Sequence, residues 1–108
     1  MENFSVIDKN GGNGSNNRKR KGPPKPPPKY KVIYHNDEHT PVEFITWSLM
    51  SFFNKNEIEA QSIAFEIYKL GHALAGIYDF QIAEQKIYDV LTSAKENKYP
   101  LKVTGEPE

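Results

Sequence analysis

A chain of 108 residues has room for one domain and one modest core, and its formal charge of zero hides a division. Residues 1–29 carry seven Lys and Arg against two acids, whereas residues 30–108 carry seven against twelve, so a basic leader precedes an acidic body. Without cysteine there is neither a disulfide framework nor a thiol nucleophile; no apolar run reaches membrane-spanning length and Met1 to Ile7 lacks the apolar stretch of a secretory signal, so a soluble cytoplasmic protein is expected.

Asn10 to Asn17 is almost entirely Gly, Asn and Ser, and is followed by the basic cluster Arg18 to Lys21 and the Pro-rich run Gly22 to Pro28. Such a segment cannot bury enough apolar surface to offset its ordering entropy. Residues 1–28 are therefore expected to be a disordered basic extension, stiffer at its Pro-rich end, and residues 29–108 the folded domain. The extension reads as a tether gripped by a partner, as a solubilising leader, or as a nucleic-acid contact through Arg18 to Lys21. The body has no basic patch to extend a nucleic-acid footprint, so no nucleic-acid partner is expected.

Val32 and Ile33 supply the β-branched run of a first strand, and Asn36, Asp37, Glu38 and His39 break it with turn-forming residues. Thr40, Pro41 and Glu43 then predict a helix start, with Thr40 as N-cap, Pro41 at the first helical position and Glu43 completing a capping box. Asp37, Glu38 and Glu43 crowd the positive end of this helix, an acidic corner suited to an ammonium group. Val42, Ile45, Leu49 and Phe52 fall on one face, and Phe44, Trp47, Met50 and Phe53 on a second, which predicts a helix buried on most of its circumference.

Asn56 and Glu59 predict the cap of a second helix running to about Leu70, with Ala60, Ile63, Ala64 and Ile67 inward and Gly71 in a left-handed C-terminal cap. His72 to Tyr78 reads as a short buried strand. Asp79 is a candidate cap for a third helix, with Phe80, Ala83, Ile87, Val90, Leu91 and Ala94 inward and Gln81, Glu84, Lys86, Asp89 and Lys95 wet. Pro100 stops it, and Leu101 to Thr104 reads as a last strand before a frayed Gly105 to Glu108. The order β-α-α-β-α-β predicts an α/β (α+β) sandwich, a three-stranded sheet packed on one side by three helices.

His35, Asp37, Glu38 and His39 offer metal-ligand chemistry in five residues, but they cross a strand-to-helix corner where side chains four apart have no reason to converge. Neither HExxH, a glycine-rich phosphate loop nor GxSxG is present, so no metal, cofactor or enzymatic activity is expected. Asn36 and Asp37 can accept hydrogen bonds from an ammonium, and Val42 and Ile45 can face a concavity that Ile67 and Leu101 close. An amine beside an apolar cavity describes the start of a polypeptide with a large apolar first side chain. By themselves the residues favour the plainer reading, an ordinary core at these four positions.

The stretch Asn36, Asp37, Glu38, His39, Thr40, Pro41, Val42, Glu43 and Phe44 after a strand resembles the ClpS adaptor family, which delivers substrates to a Clp protease. The likeness continues at Phe52 and Phe53, Gly71 to Gly76, Ala83 to Lys86 and Pro100-Leu101, and spans Lys29 to Val103. The resemblance implies a fold of the same element order, and a non-enzymatic adaptor that binds substrates with a large hydrophobic N-terminal residue (N-degrons) and presents them to an AAA+ unfoldase of the ClpA or ClpC type. It implies that Asn36 and Asp37 hold the substrate's α-amine, and that Thr40, Val42, Ile45, Ala64, Ile67 and Leu101 line the side-chain pocket. It also implies unfoldase docking through the third helix at Gln81, Glu84 and Lys86. Three positions depart from the family pattern: Tyr68 stands where a His usually helps to hold the amine, Val42 where a Met often narrows the entrance, and Gln81 where an acid is common. A regulator of the same fold with lost or altered terminal-residue recognition is the alternative reading.

Overall fold

In the computed structural model, which describes residues 26–108, strand β1 (Tyr30–His35) is followed by helices α1 (Val42–Phe53) and α2 (Glu57–Leu70). Strand β2 (His72–Tyr78), helix α3 (Phe80–Glu96) and strand β3 (Lys102–Pro107) complete the chain. The three strands form an antiparallel sheet in the order β2-β1-β3, so the first strand is central and pairs along its whole length on both sides. This is the expected α+β architecture. Residues 1–25, with the basic cluster Arg18 to Lys21 and most of the expected extension, lie outside the described residues.

Side chains alternate across a strand, so Val32 and Tyr34 of β1, Ala73 and Ala75 of β2 and Val103 of β3 enter the core beneath the helices. Tyr34 carries a hydroxyl into that core and is satisfied there: it lies 2.7 Å from Ser48 Oγ of α1, which in turn donates to the Ile45 carbonyl at 2.8 Å. Burial pushes the Tyr34 phenol far above its ordinary pKa, so it stays neutral and donates to Ser48.

The second helix follows its sequence signals closely. Asn56 Oδ1 accepts from Glu59 N at 2.8 Å while Glu59 Oε1 accepts from Asn56 N at 3.0 Å, a reciprocal capping box. Gly71 closes the helix at φ 89°, where its N–H donates to the Ile67 carbonyl at 2.8 Å.

Elsewhere the structure corrects the sequence reading. Thr40 is not the cap of α1, which begins at Val42 without a side-chain cap bond, because the Thr40 hydroxyl is drawn to Asp37 Oδ2 at 2.6 Å. The helix is not buried all round either, since Val42, Trp47 and Met50 are 54%, 48% and 41% exposed. Strand β2 lies at a sheet edge, with Leu74 and Ile77 on the open face. Asp79 stands at the start of α3 without capping it, its carboxylate held 2.7 Å from Lys29 Nζ. Phe80 is half-exposed and meets Tyr30 edge-on. The last strand does not fray at Gly105: residues through Pro107 pair with β1, and Glu108 N donates to Lys29 O at 2.7 Å. The two ends of the folded domain therefore meet at one end of the sheet.

Candidate functional site

The other end of the sheet carries the acidic corner. Asn36 leaves β1 with its N–H donating to the Gly71 carbonyl at 2.9 Å, so the end of α2 fixes where the corner begins. Asp37 then organises the turn: Oδ1 accepts from the His39 and Thr40 N–H groups at 2.7 and 3.0 Å, and Oδ2 from the Thr40 hydroxyl. Burial pulls the Asp37 pKa up, but these three donors outweigh it and hold the carboxyl below its ordinary value. It is an anion with one lone pair, on Oδ2, still available. His35 turns away, its Nε2 2.8 Å from Thr104 Oγ1 on β3, so it does not converge with Asp37 and His39.

Beneath this corner lies a cavity of about 490 Å³ in the groove between α1 and α2. It is lined by Asn36, Asp37 and Thr40 from the corner, Val42 and Ile45 from α1, and Ala64, Ile67 and Tyr68 from α2. Ile45, Ala64 and Ile67 are buried and form its apolar floor, whereas Val42 and Tyr68 stand at the lip, Tyr68 75% exposed. Polar acceptors at one side of an apolar cleft can orient a cation and bury the group attached to it.

Leu101 does not line this cavity. It is buried in the core, since strand alternation puts it on the same inward face as Val103. Glu38, Thr46, Gln61 and Phe65, by contrast, do line it without having been singled out for the pocket. The spacing of Gln61, Ala64, Phe65 and Tyr68 over two turns of one helix is the signal available for two of them, Gln61 and Phe65.

On α3, Gln81 and Glu84 are exposed, but Lys86 is not on the wet side. Its ammonium donates to the Phe52 carbonyl at 2.7 Å and lies 5.6 and 5.1 Å from the ring centres of Phe53 and Tyr78. An unpaired carbonyl at the end of α1 and two π faces draw the cation inward.

Residues 25–104 match the family model described as ATP-dependent Clp protease adaptor protein ClpS. The chain is 45% identical over 77 residues to the ATP-dependent Clp protease adapter protein ClpS of Treponema denticola, covering 71% of this chain and 76% of that protein. It is also 45% identical over 75 residues to the Clostridium acetobutylicum protein of the same name, covering 69% and 74%. Among solved structures it resembles Agrobacterium tumefaciens ClpS2 bound to L-phenylalaninamide, with a TM-score of 0.75 and 34% identity over 77% of this chain and all of that one.

Proposed function

The chain belongs to the ClpS family of adaptors for the ATP-dependent Clp protease, and from that premise we propose that it captures polypeptides by a free N-terminus with a large apolar first side chain and presents them to a Clp-type AAA+ unfoldase. The observation that carries this reading is the corner itself: an ionised Asp37 beside Asn36 at the edge of a cavity floored by Ile45, Ala64 and Ile67. The α-amine sits against Asn36 and Asp37, and the side chain descends between α1 and α2. Solved ClpS2 with a phenylalanine amide, a free amine attached to an apolar ring, supports the same choice of ligand. The adaptor acts by presentation, and no bond is made or broken. Gln81 and Glu84 offer an exposed docking face on α3, while Lys86 holds the end of α1 behind it.

Isothermal calorimetry with a Phe-starting peptide and its acetylated twin tests the reading. Acetylation removes the charge-assisted bonds, worth roughly 1.5–3 kcal/mol, so affinity should fall about ten- to a hundredfold. Asn36→Ala and Asp37→Ala should do comparable damage. Equal binding of the free and acetylated peptides sinks the amine assignment.

A further inference from the structure

The cavity is longer than one residue. Gln61 and Tyr68 stand seven positions apart on α2, so the wall between them runs about 10.5 Å at 1.5 Å per residue. An extended polypeptide advances roughly 3.3–3.6 Å per residue, and the wall therefore matches about three residues of chain. Because α1 and α2 are joined by the short link 54–56, they return on each other as an antiparallel pair. The amine corner lies at the Tyr68 end of the groove, and Thr46 and Gln61 lie beyond its middle.

The far half has its own chemistry. Thr46 donates its hydroxyl back to the Val42 and Glu43 carbonyls, and Gln61 has only a 3.4 Å contact with Glu57. Among the described residues no charged side chain lines this half. Midway along the wall, three residues from Tyr68, stands Phe65, 64% exposed, with Lys69 Nζ 5.6 Å from the ring centre. A large ring left open beside a groove gains most by being covered with another apolar or aromatic group.

We infer that Phe65 builds a second-residue subsite: once the first residue is held at Asn36 and Asp37, the next lays an apolar or aromatic side chain on the Phe65 ring. This rests on the amine reading above and extends it to the substrate's second position.

The test uses the full chain and fluorescence anisotropy with three peptides alike beyond residue two, starting Leu-Phe, Leu-Ala and Trp-Ala. Wild type should bind Leu-Phe roughly three- to tenfold more tightly than Leu-Ala. Phe65→Ala should bring that ratio to within about twofold of one, and Phe65→Tyr, which keeps the ring, should preserve it. Because Phe65 is exposed, an unchanged melting temperature is expected to accompany both substitutions. Equal binding of Leu-Phe and Leu-Ala by wild type overturns the subsite, as does a proportionate loss for both in Phe65→Ala. A selective loss of Trp-Ala would also overturn it, by assigning the Phe65 ring to the first side chain. Acetylated peptides define which idea has failed: a normal acetylation penalty without a second-residue effect sinks the subsite alone, whereas no penalty sinks the amine reading and the subsite with it.

Discussion

Asp37 serves its own turn and the proposed ligand with one carboxylate, and that double duty sets a pH window. A carboxyl held below its ordinary 3.8 contributes fully above that value and loses its contribution as pH falls through the lower folded one. The ligand's α-amine loses its charge above roughly pH 8. Affinity for a Phe-starting peptide should thus be level between about pH 5 and 7, fall on the alkaline side as the amine deprotonates, and fall on the acid side only below 3.8, as pH passes through the lower folded value of Asp37. Calorimetry across the range checks it, and affinity undiminished at pH 9.5 would remove the ammonium from the pocket. On the proposed reading, Val42 and Tyr68 at the lip are the positions that set selectivity. With Val42 short, peptides starting with Ile or Val should be only weakly disfavoured, and Val42→Met should restore their exclusion by roughly 1–3 kcal/mol. Tyr68→Phe should weaken Phe-starting peptides only if the hydroxyl reaches the amine, and Tyr68→His should tighten them. The acidic turn could be read from local residue types, because Asp37 acts within three residues of itself, on His39 and Thr40, whereas Asn36 is fixed from the end of α2. Phe65 could not, since an aromatic residue on a helix carries no mark of whether a groove opens beside it.

Helix ends hold the corner in place, and Gly71 is the hinge pin among them. Its φ of 89° suits glycine, its N–H closes α2, and its carbonyl receives the Asn36 N–H. A methyl group there would meet nothing within 4 Å, so Gly71→Ala should cost only the backbone strain, about 1–2 kcal/mol in thermal or denaturant unfolding. Gly71→Asn should cost less. Deep under α1, Ser48→Ala would strand the Tyr34 hydroxyl in the core and should cost about 1–3 kcal/mol, and adding Tyr34→Phe should recover part of it in a double-mutant cycle. Where the determinants are local, the sequence was informative: Asn56, Glu59 and Gly71 are spaced as their caps require. Thr40 failed as a cap because Asp37, three residues earlier, competes for its hydroxyl. Gly105 and Pro107 look like strand breakers, yet they pair with Val32 and Tyr30, a non-local reward that no residue within β3 announces. Trp47 and Met50 kept helical spacing but face outward, because the small sheet and two neighbouring helices cannot cover every apolar side of α1.

Across the whole molecule, the pocket and the start of the domain lie at opposite ends of β1. Removing residues 1–22 should leave the melting temperature and peptide affinity nearly unchanged, since the described core begins at Tyr30, and should slow substrate transfer to the unfoldase in a coupled degradation assay. A large drop in melting temperature would show that the extension packs on the domain. The placing of β1 has a mechanical side as well. It is the middle strand, hydrogen-bonded to β2 on one flank and β3 on the other, and its first residue is the point at which residues 1–29 join. Inter-strand bonds lie across the strand axis, so tension applied through that junction along β1 would be shared by both ladders at once instead of opening them one rung at a time. A motor hauling on the leader would thus meet the domain in its stiffest direction, while a substrate held only by its first residues in the α1–α2 groove would part from it under far less load.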